Sequence, residues 1–508
     1  MSYLVRGQFV LTMNDRLGVN GIVEDGAVYI SGKNIVEIGP YKDLKSVYPT
    51  ATVIGSSRFW VMPGFVNAHQ HGKGLTTFQL GGIDDCFEIS RFSPEPQATV
   101  EPYIDTLYGC MRMIEAGITT CIHYNSSRGP SYYETDVLKR MRAYQDSGVR
   151  VSFGLDIRDR NHLVYGDEEF IKPLPSPLKE NVIEKYARSR TLTADAYFPL
   201  VKKLSDSDAV TGQERIKLFL TPAGPQWCTE DLLRAIRNES SERDLGIQIH
   251  VSETKYQRSF FSRAYQKTAI EWLNDLDFLS PRVSIAHGVW LNRNDLRVVA
   301  NKGCGIVHNP SSNLRLRSGI APLPLFYQAG ITLGMGLDSS TLNDDSDMLQ
   351  EIRLAANLQR VPGSSSVLVP LKEIFKMATV NGMNLLRWGD IAGTLEPGKE
   401  ADLVLLDSRD FAQPYLAPRQ NPIDTLIYRG KSTAVDTVIV GGEILYQGRK
   451  HKRIDSKTIH QGLKESIKPP SPKKTDGPEA ALLPYVHALF QSWDQDTAVP
   501  FHKFNSVE

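Results

Sequence analysis

The sequence predicts an α/β protein: a (β/α)8 TIM-like barrel carrying a small β-sandwich built from both ends of the chain. Three observations predict it. Eight short apolar runs alternate with helical stretches across the middle of the chain, all-β texture flanks that region on both sides, and histidines and an aspartate recur where the runs end.

Residues 1 to about 60 hold short strand-like runs separated by turn signals, Tyr3-Leu-Val-Arg, Gly26-Ala-Val-Tyr-Ile and Ile35-Val-Glu-Ile before Gly39-Pro40. The same texture returns in Ala401-Asp-Leu-Val-Leu-Leu-Asp407 and Thr437-Val-Ile-Val440, so residues 1–60 and 386–450 are expected to pair into the sandwich, leaving 61–385 as the catalytic barrel and 451–508 as a C-terminal extension. The barrel strands are expected at residues 59–68, 118–122, 149–155, 216–220, 247–249, 283–286, 305–307 and 331–337. Helical stretches such as Thr229-Glu-Asp-Leu-Leu-Arg-Ala-Ile and Asn292-Arg-Asn-Asp-Leu-Arg-Val-Val-Ala follow most of them. An open doubly wound sheet would call for a Gly-X-Gly-X-X-Gly loop after the first strand, and none stands there.

Two segments depart from a simple barrel. Residues 158–214 separate strands three and four by far more than an ordinary connection and contain charged helical pieces such as 178–190; a lid, a surface insertion and a subunit contact are the alternatives. Lys468-Pro-Pro-Ser-Pro-Lys-Lys474 reads as a flexible linker, and the closing Ala480 to Trp493 is apolar enough to dock on the body or on a partner subunit.

Composition narrows the class. The 508 residues are 41% hydrophobic and 23% charged with zero formal net charge, which suits a globular enzyme and offers no electrostatic footprint for nucleic acid or an anionic membrane. The five cysteines are odd in number and never spaced Cys-X-X-Cys, against a disulfide framework or a thiolate zinc site. No export signal and no apolar run of about 20 residues is expected, so the reading is cytoplasmic.

The strand-one run Val61-Met-Pro-Gly-Phe-Val-Asn-Ala-His69-Gln-His71 ends in a His-X-His pair. Alternate residues of a strand share a face, so both rings can grip one metal ion. With 11 histidines, such a pair arises by chance about a quarter of the time, so the pair alone decides nothing. His250 after Gly246-Ile-Gln-Ile, His287 after Val283-Ser-Ile-Ala and Asp338 after the eighth run change the odds: a lone strand-end histidine is usually a satisfied core residue, but four strands delivering such groups to one rim is a metal site. Glu253, three residues after His250, is placed to shuttle protons without being a ligand.

Together these residues resemble the amidohydrolase superfamily, in its mononuclear deaminase and chlorohydrolase branch, which includes guanine, cytosine and 8-oxoguanine deaminases and triazine hydrolases. The resemblance runs to about residue 450 and adds Ala286-His-Gly, Asn309-Pro-Ser-Ser-Asn-Leu-Arg-Leu-Arg-Ser-Gly319, Gly336-Leu-Asp-Ser-Ser and Gly393-Thr-Leu-Glu-Pro-Gly-Lys-Glu-Ala-Asp-Leu-Val. It implies the barrel and terminal sandwich, a single Zn2+ or Fe2+ ion held by His69, His71, His250 and Asp338, and Glu253, His287 and Asp338 as catalytic groups acting on a metal-activated water. Lys217 begins strand four rather than closing it, against a carboxylated-lysine two-metal site. Where related branches carry an Arg or His after the proline of strand four, this chain has Ala223, which removes support for guanine and thioadenosine substrates. Gln79, His123, Asn125, Gln226, Trp227 and His308 are the candidate substrate-binding residues.

The expected activity is hydrolytic deamination of an N-heterocycle or cyclic amidine. Hydrolysis of a urea, carbamate or carbon-halogen bond by the same site is the alternative, and a non-catalytic scaffold a remote one. The expected partner is a small-molecule substrate, with a homodimer implied by the resemblance.

Overall fold

A computed structural model describes residues 2–92, 99–125, 129–186, 192–212, 214–339, 341–360, 364, 368–468 and 478–496. The linker reading at residues 469–474 and the end of the 178–190 helical piece lie outside the described residues.

Eight parallel strands form one sheet in sequence order: β1 (Phe65–Asn67), β2 (Ile118–Tyr124), β3 (Arg150–Ile157), β4 (Ile216–Pro222), β5 (Gly246–Val251), β6 (Val283–His287), β7 (Gly305–His308) and β8 (Leu333–Met335). The ring closes where Ala68 N donates to Met335 O (2.8 Å) and Asp338 N to His69 O (2.9 Å). Every residue of β2 and β5 is buried, as expected of parallel strands covered by helices outside and side chains within. The connecting helices use the expected start signals: Thr229 caps Glu230–Arg243, and Asn292 with Asp295 forms a capping box on Arg293–Asn301.

Both ends of the chain supply the second sheet, nine strands in one hydrogen-bonded assembly. Here one expectation needs correcting. The run at 59–68 is not one barrel strand: Phe59–Pro63 pairs antiparallel with Leu403–Asp407 in the terminal sheet, and the barrel begins at Phe65. Gly64 is the crossing point. A Cβ there would lie 2.1 Å from the Thr119 hydroxyl, so only glycine lets the chain pass from one sheet to the other against β2. The sheets are also joined by a buried ion pair, Arg150 of β3 making two 3.0 Å bonds to Asp402 and one of 2.8 Å to Glu400.

The 158–214 segment carries helices Asp167–Ile171, Leu178–Tyr186 and Ala194–Ser205. The C-terminal helix Pro478–Ser492 docks on the same chain, with Leu482, Val486 and Phe490 buried along one face. Tyr165 of the insertion packs against Phe490 and Trp493, at ring-centroid distances of 5.6 and 6.4 Å.

Candidate metal centre

The C-terminal ends of β1, β5, β6 and β8 bring five side chains together. His69 and His71 leave β1 on one face, and Nε2 of each approaches Asp338 Oδ1, at 3.8 and 3.3 Å. His250 on β5 stacks on His71 with centroids 5.4 Å apart, and one ring nitrogen each of His69, His71 and His250 can lie within 4.8 Å of the others. His287 Nε2 faces Asp338 Oδ2 at 3.6 Å.

The folding reason is local and specific. A Cβ on Gly336 would meet Asn309 Oδ1 at 2.3 Å and His69 Cβ at 2.7 Å, so glycine allows the end of β8 to close on β1. His287 and Asp338 then adopt left-handed backbone, φ 72° and 55°, a conformation that non-glycine residues hold only when their surroundings impose it.

The three imidazoles that turn Nδ1 away from the centre are held there by carbonyl oxygens: His69 by Gln248 Oε1 (2.7 Å), His250 by the Ala223 backbone (2.8 Å) and His287 by Asn313 Oδ1 (2.8 Å). A carbonyl only accepts, so Nδ1 carries the hydrogen and Nε2 presents a lone pair to the centre. Nε2 of His69 and of His287 is buried and makes no hydrogen bond to protein among the described residues. Burial holds the rings neutral, lowering the pKa of His69 to about 4 and of His71 to about 3, and that of His250 well below its usual value. Against the same burial, which would raise it, the pKa of Asp338 stays below the usual carboxylate range, its Oδ2 accepting from the Ser312 hydroxyl (2.6 Å). Neutral imidazoles and one carboxylate fit a divalent transition ion.

Glu253 has the opposite character. It is 1% exposed, its Oε2 has no partner among the described residues, and burial, with Asp338 and Glu88 nearby, pushes its pKa well above the carboxylate range. Its Oε1 accepts from Ser318 Oγ at 3.4 Å. Lys217 lies at the opposite end of β4 with Nζ donating to the Arg387 carbonyl, away from the centre.

The candidate substrate residues separate. His123 turns outward from the barrel, stacking on Phe153 at 4.6 Å and meeting the Tyr144 hydroxyl at 3.1 Å, and Asn125 Oδ1 accepts from Arg140 at 2.5 Å. Gln79 is exposed and its carboxamide oxygen accepts from Thr76 N (3.0 Å) within its own loop. His308 is buried at the end of β7 with Nδ1 unpartnered among the described residues and its pKa lowered by burial to about 3. Gln226 is fully buried with both carboxamide atoms unpartnered among the described residues, and Trp227 lies 6.0 Å from the rings of Phe87 and of Tyr165.

Tyr124 has a clearer claim than its neighbour His123. Its ring lies 4.7 Å from His250 and 5.1 Å from His71, and its hydroxyl donates to Pro222 O (2.7 Å). Alternation along β2 carries the signal: residues 122 and 124 face inward, 121 and 123 outward. Gln248, Ser312 and Asn313 were likewise unassigned by the sequence, although Ser312 and Asn313 stand inside the Asn309-Pro-Ser-Ser-Asn motif.

Residues 60–445 match the model of the Amidohydrolase family. The chain is 31% identical over 448 residues to the 5'-deoxyadenosine deaminase of Methanothermobacter thermautotrophicus, spanning 86% of this chain and 93% of that protein. It is 32% identical over 404 residues to the 5-methylthioadenosine/S-adenosylhomocysteine deaminase of Thermococcus kodakarensis, spanning 78% and 84%. The fold is shared with an adenosine deaminase from Xanthomonas campestris solved with bound zinc, at a TM-score of 0.76 and 22% identity over 91% of this chain and 97% of that one.

Proposed function

The chain belongs to the amidohydrolase family, and we propose that it is a metal-dependent hydrolase that removes an amino group from a nitrogen heterocycle. One observation carries the reading: neutral imidazoles and the Asp338 carboxylate converge on one point beside the buried carboxyl group of Glu253, whose pKa burial raises. His69, His71, His250 and Asp338 would hold the ion, zinc or iron(II). Bound there, it supplies the Lewis acidity that brings water to a pKa of about 7.

The residues divide the remaining work. Asp338, an anion at neutral pH, receives the proton of the attacking water. His287, its Nδ1 hydrogen committed to Asn313, offers Nε2 to the water's other hydrogen and orients it. Glu253 delivers a proton to the ring nitrogen beside the attacked carbon, so the ring is neutral as the carbon becomes tetrahedral. The proton on Asp338 then passes to the departing amine, which leaves as ammonia while the hydroxyl hydrogen on the attacked carbon returns to Glu253 and the carbonyl forms.

The names of the relatives favour an aminopurine. Ala223 places a methyl group where other branches carry an Arg or His, so the base would be held by other groups, of which the buried, unpartnered Gln226 is the foremost. A cytoplasmic setting is in keeping with five unpaired cysteines, and a homodimer is part of the same reading, to be checked by light scattering. Among the described residues no helix is long and apolar enough to cross a membrane.

The test is ammonia release from a panel of aminated purines, adenosine derivatives, pyrimidines and triazines, using protein loaded with zinc or iron(II). Ammonia formed with the ring product, and lost in His250→Ala, supports the proposal. Turnover without ammonia would move the assignment to carbon-halogen or urea-type hydrolysis. Protein that binds no metal and turns over nothing would leave a scaffold.

A further inference from the structure

One buried carboxyl group, Glu88, has no part in the chemistry above, yet it lies between the catalytic turn and the C-terminal helix. It is 2% exposed, on the short helix Phe87–Ser90 in the loop after β1. Its Oε1 accepts from the Thr254 hydroxyl and from the Tyr165 hydroxyl (2.9 Å), and Oε2 faces the Cys86 thiol at 3.5 Å.

Each partner leads somewhere definite. Thr254 follows Glu253 and caps the helix Lys255–Tyr265, its hydroxyl accepting from Gln257 N; the Gln257 carboxamide oxygen accepts in turn from Glu253 N at 2.9 Å. Tyr165 lies under Phe490 and Trp493 of the C-terminal segment. That segment is tied again to the same helix by Lys255 and the Tyr256 hydroxyl on Asp494 and by Arg263 on Asp496.

From this connected set we propose that Glu88 is a positioning residue, which fixes the turn carrying Glu253 and makes its placement depend on the docked C-terminal helix. The inference rests on the hydrolase reading for its kinetic consequence. Among the described residues the Glu253 carboxyl is held lightly, with Oε1 accepting from Ser318 at 3.4 Å and Oε2 without a hydrogen bond, so the backbone of its turn decides where the proton is delivered. Without Glu88, two buried hydroxyls lose their common acceptor and the turn loses its outer anchor. Only an acceptor oxygen is needed at this point, because both partners of Oε1 are hydroxyl donors.

The experiment compares Glu88→Ala, Glu88→Gln and Tyr165→Phe with the parent, recording bound metal, kcat and KM for ammonia release, and amide hydrogen exchange at Glu253 and Gln257. Displacing a proton donor by a fraction of an ångström to 1 Å costs about tenfold to a hundredfold in rate, so Glu88→Ala lowers kcat by that factor with metal content and KM unchanged. Exchange at the two amides quickens by about tenfold or more as the turn opens locally. Glu88→Gln, retaining the oxygen, restores the parent values, and Tyr165→Phe falls between. Parent-like kcat and exchange in Glu88→Ala overturn the proposal, as does a Glu88→Gln variant as impaired as Glu88→Ala. If Glu88→Ala does not fold, Tyr165→Phe, which keeps its ring contacts, decides on the same readouts. A parent that releases no ammonia refutes the hydrolase reading alone, since the exchange comparison still tests the coupling.

Discussion

Replacing Gln248 by leucine removes the acceptor that sets the tautomer of His69 while keeping a side chain of similar size inside the barrel. Gln248 is fully buried, with Oε1 2.7 Å from His69 Nδ1 and Nε2 donating to Ala68 O (2.9 Å) and Ser284 Oγ (3.2 Å). In the variant the Nδ1 hydrogen has no acceptor, at a cost of about 1–3 kcal/mol for a buried donor. The ring is then free to carry its hydrogen on Nε2, where it blocks coordination. Outer hydrogen-bond partners of metal ligands are worth about 10–100-fold in affinity, which is about 1.4–2.7 kcal/mol at 1.4 kcal/mol per tenfold. The two routes agree in size. Competition with a chromogenic chelator at neutral pH measures the dissociation constant directly, and Gln248→Glu, which retains an acceptor, serves as control. A Gln248→Leu protein that binds zinc within twofold of the parent would refute the tautomer argument.

Three further outcomes follow from the same contacts. Glu253→Gln leaves metal content unchanged and lowers kcat for ammonia release by about 10²–10⁴, the contribution of a general acid; a loss under tenfold would remove Glu253 from the proton path. Arg150→Met strands Asp402 and Glu400 without their buried cation and costs about 3–5 kcal/mol, read as a lowered urea midpoint, whereas a loss below about 1 kcal/mol would show that the ion pair does not hold the two sheets together. Glu351, buried against Ser311, has its pKa raised by burial to about 8. The folded chain therefore keeps a proton that the unfolded chain releases near pH 4.5, so stability falls as pH rises from 4.5 to 8, by up to about 1.4 kcal/mol per pH unit. Glu351→Gln flattens that slope in urea melts across the interval, and an unchanged slope would show that Glu351 does not cause it.

The residues that converge on the rim were legible because each stands at a strand end and belongs to a residue type with few other reasons to be there. His69 and His71 announce themselves by spacing, and His250, His287 and Asp338 by ending apolar runs. The residues that orient them were not legible, because Gln248, Asn313 and Ser312 are ordinary types whose roles depend on which ring nitrogen or carboxylate oxygen they face across 26 to 179 positions of chain. His123 and Tyr124 show the limit within a single strand. Residue type drew attention to the histidine, but inward and outward facing along β2 gives the site the tyrosine. Residues 59–68 show the limit between strands: nothing in a continuous apolar run says that Gly64 hands the chain from one sheet to another.

By itself the sequence determined the alternation of strand and helix, and with it the closed barrel and the rim that gathers four histidines and an aspartate, since periodicity and strand-end position are local properties. Tertiary structure alone decided the electrostatics. Burial by distant segments lowers the pKa of the imidazoles and raises that of Glu253, and only folding brings Glu88, Tyr165 and the C-terminal helix against the Glu253 turn, because a pKa and a hydrogen-bond partner depend on everything that surrounds a group in space.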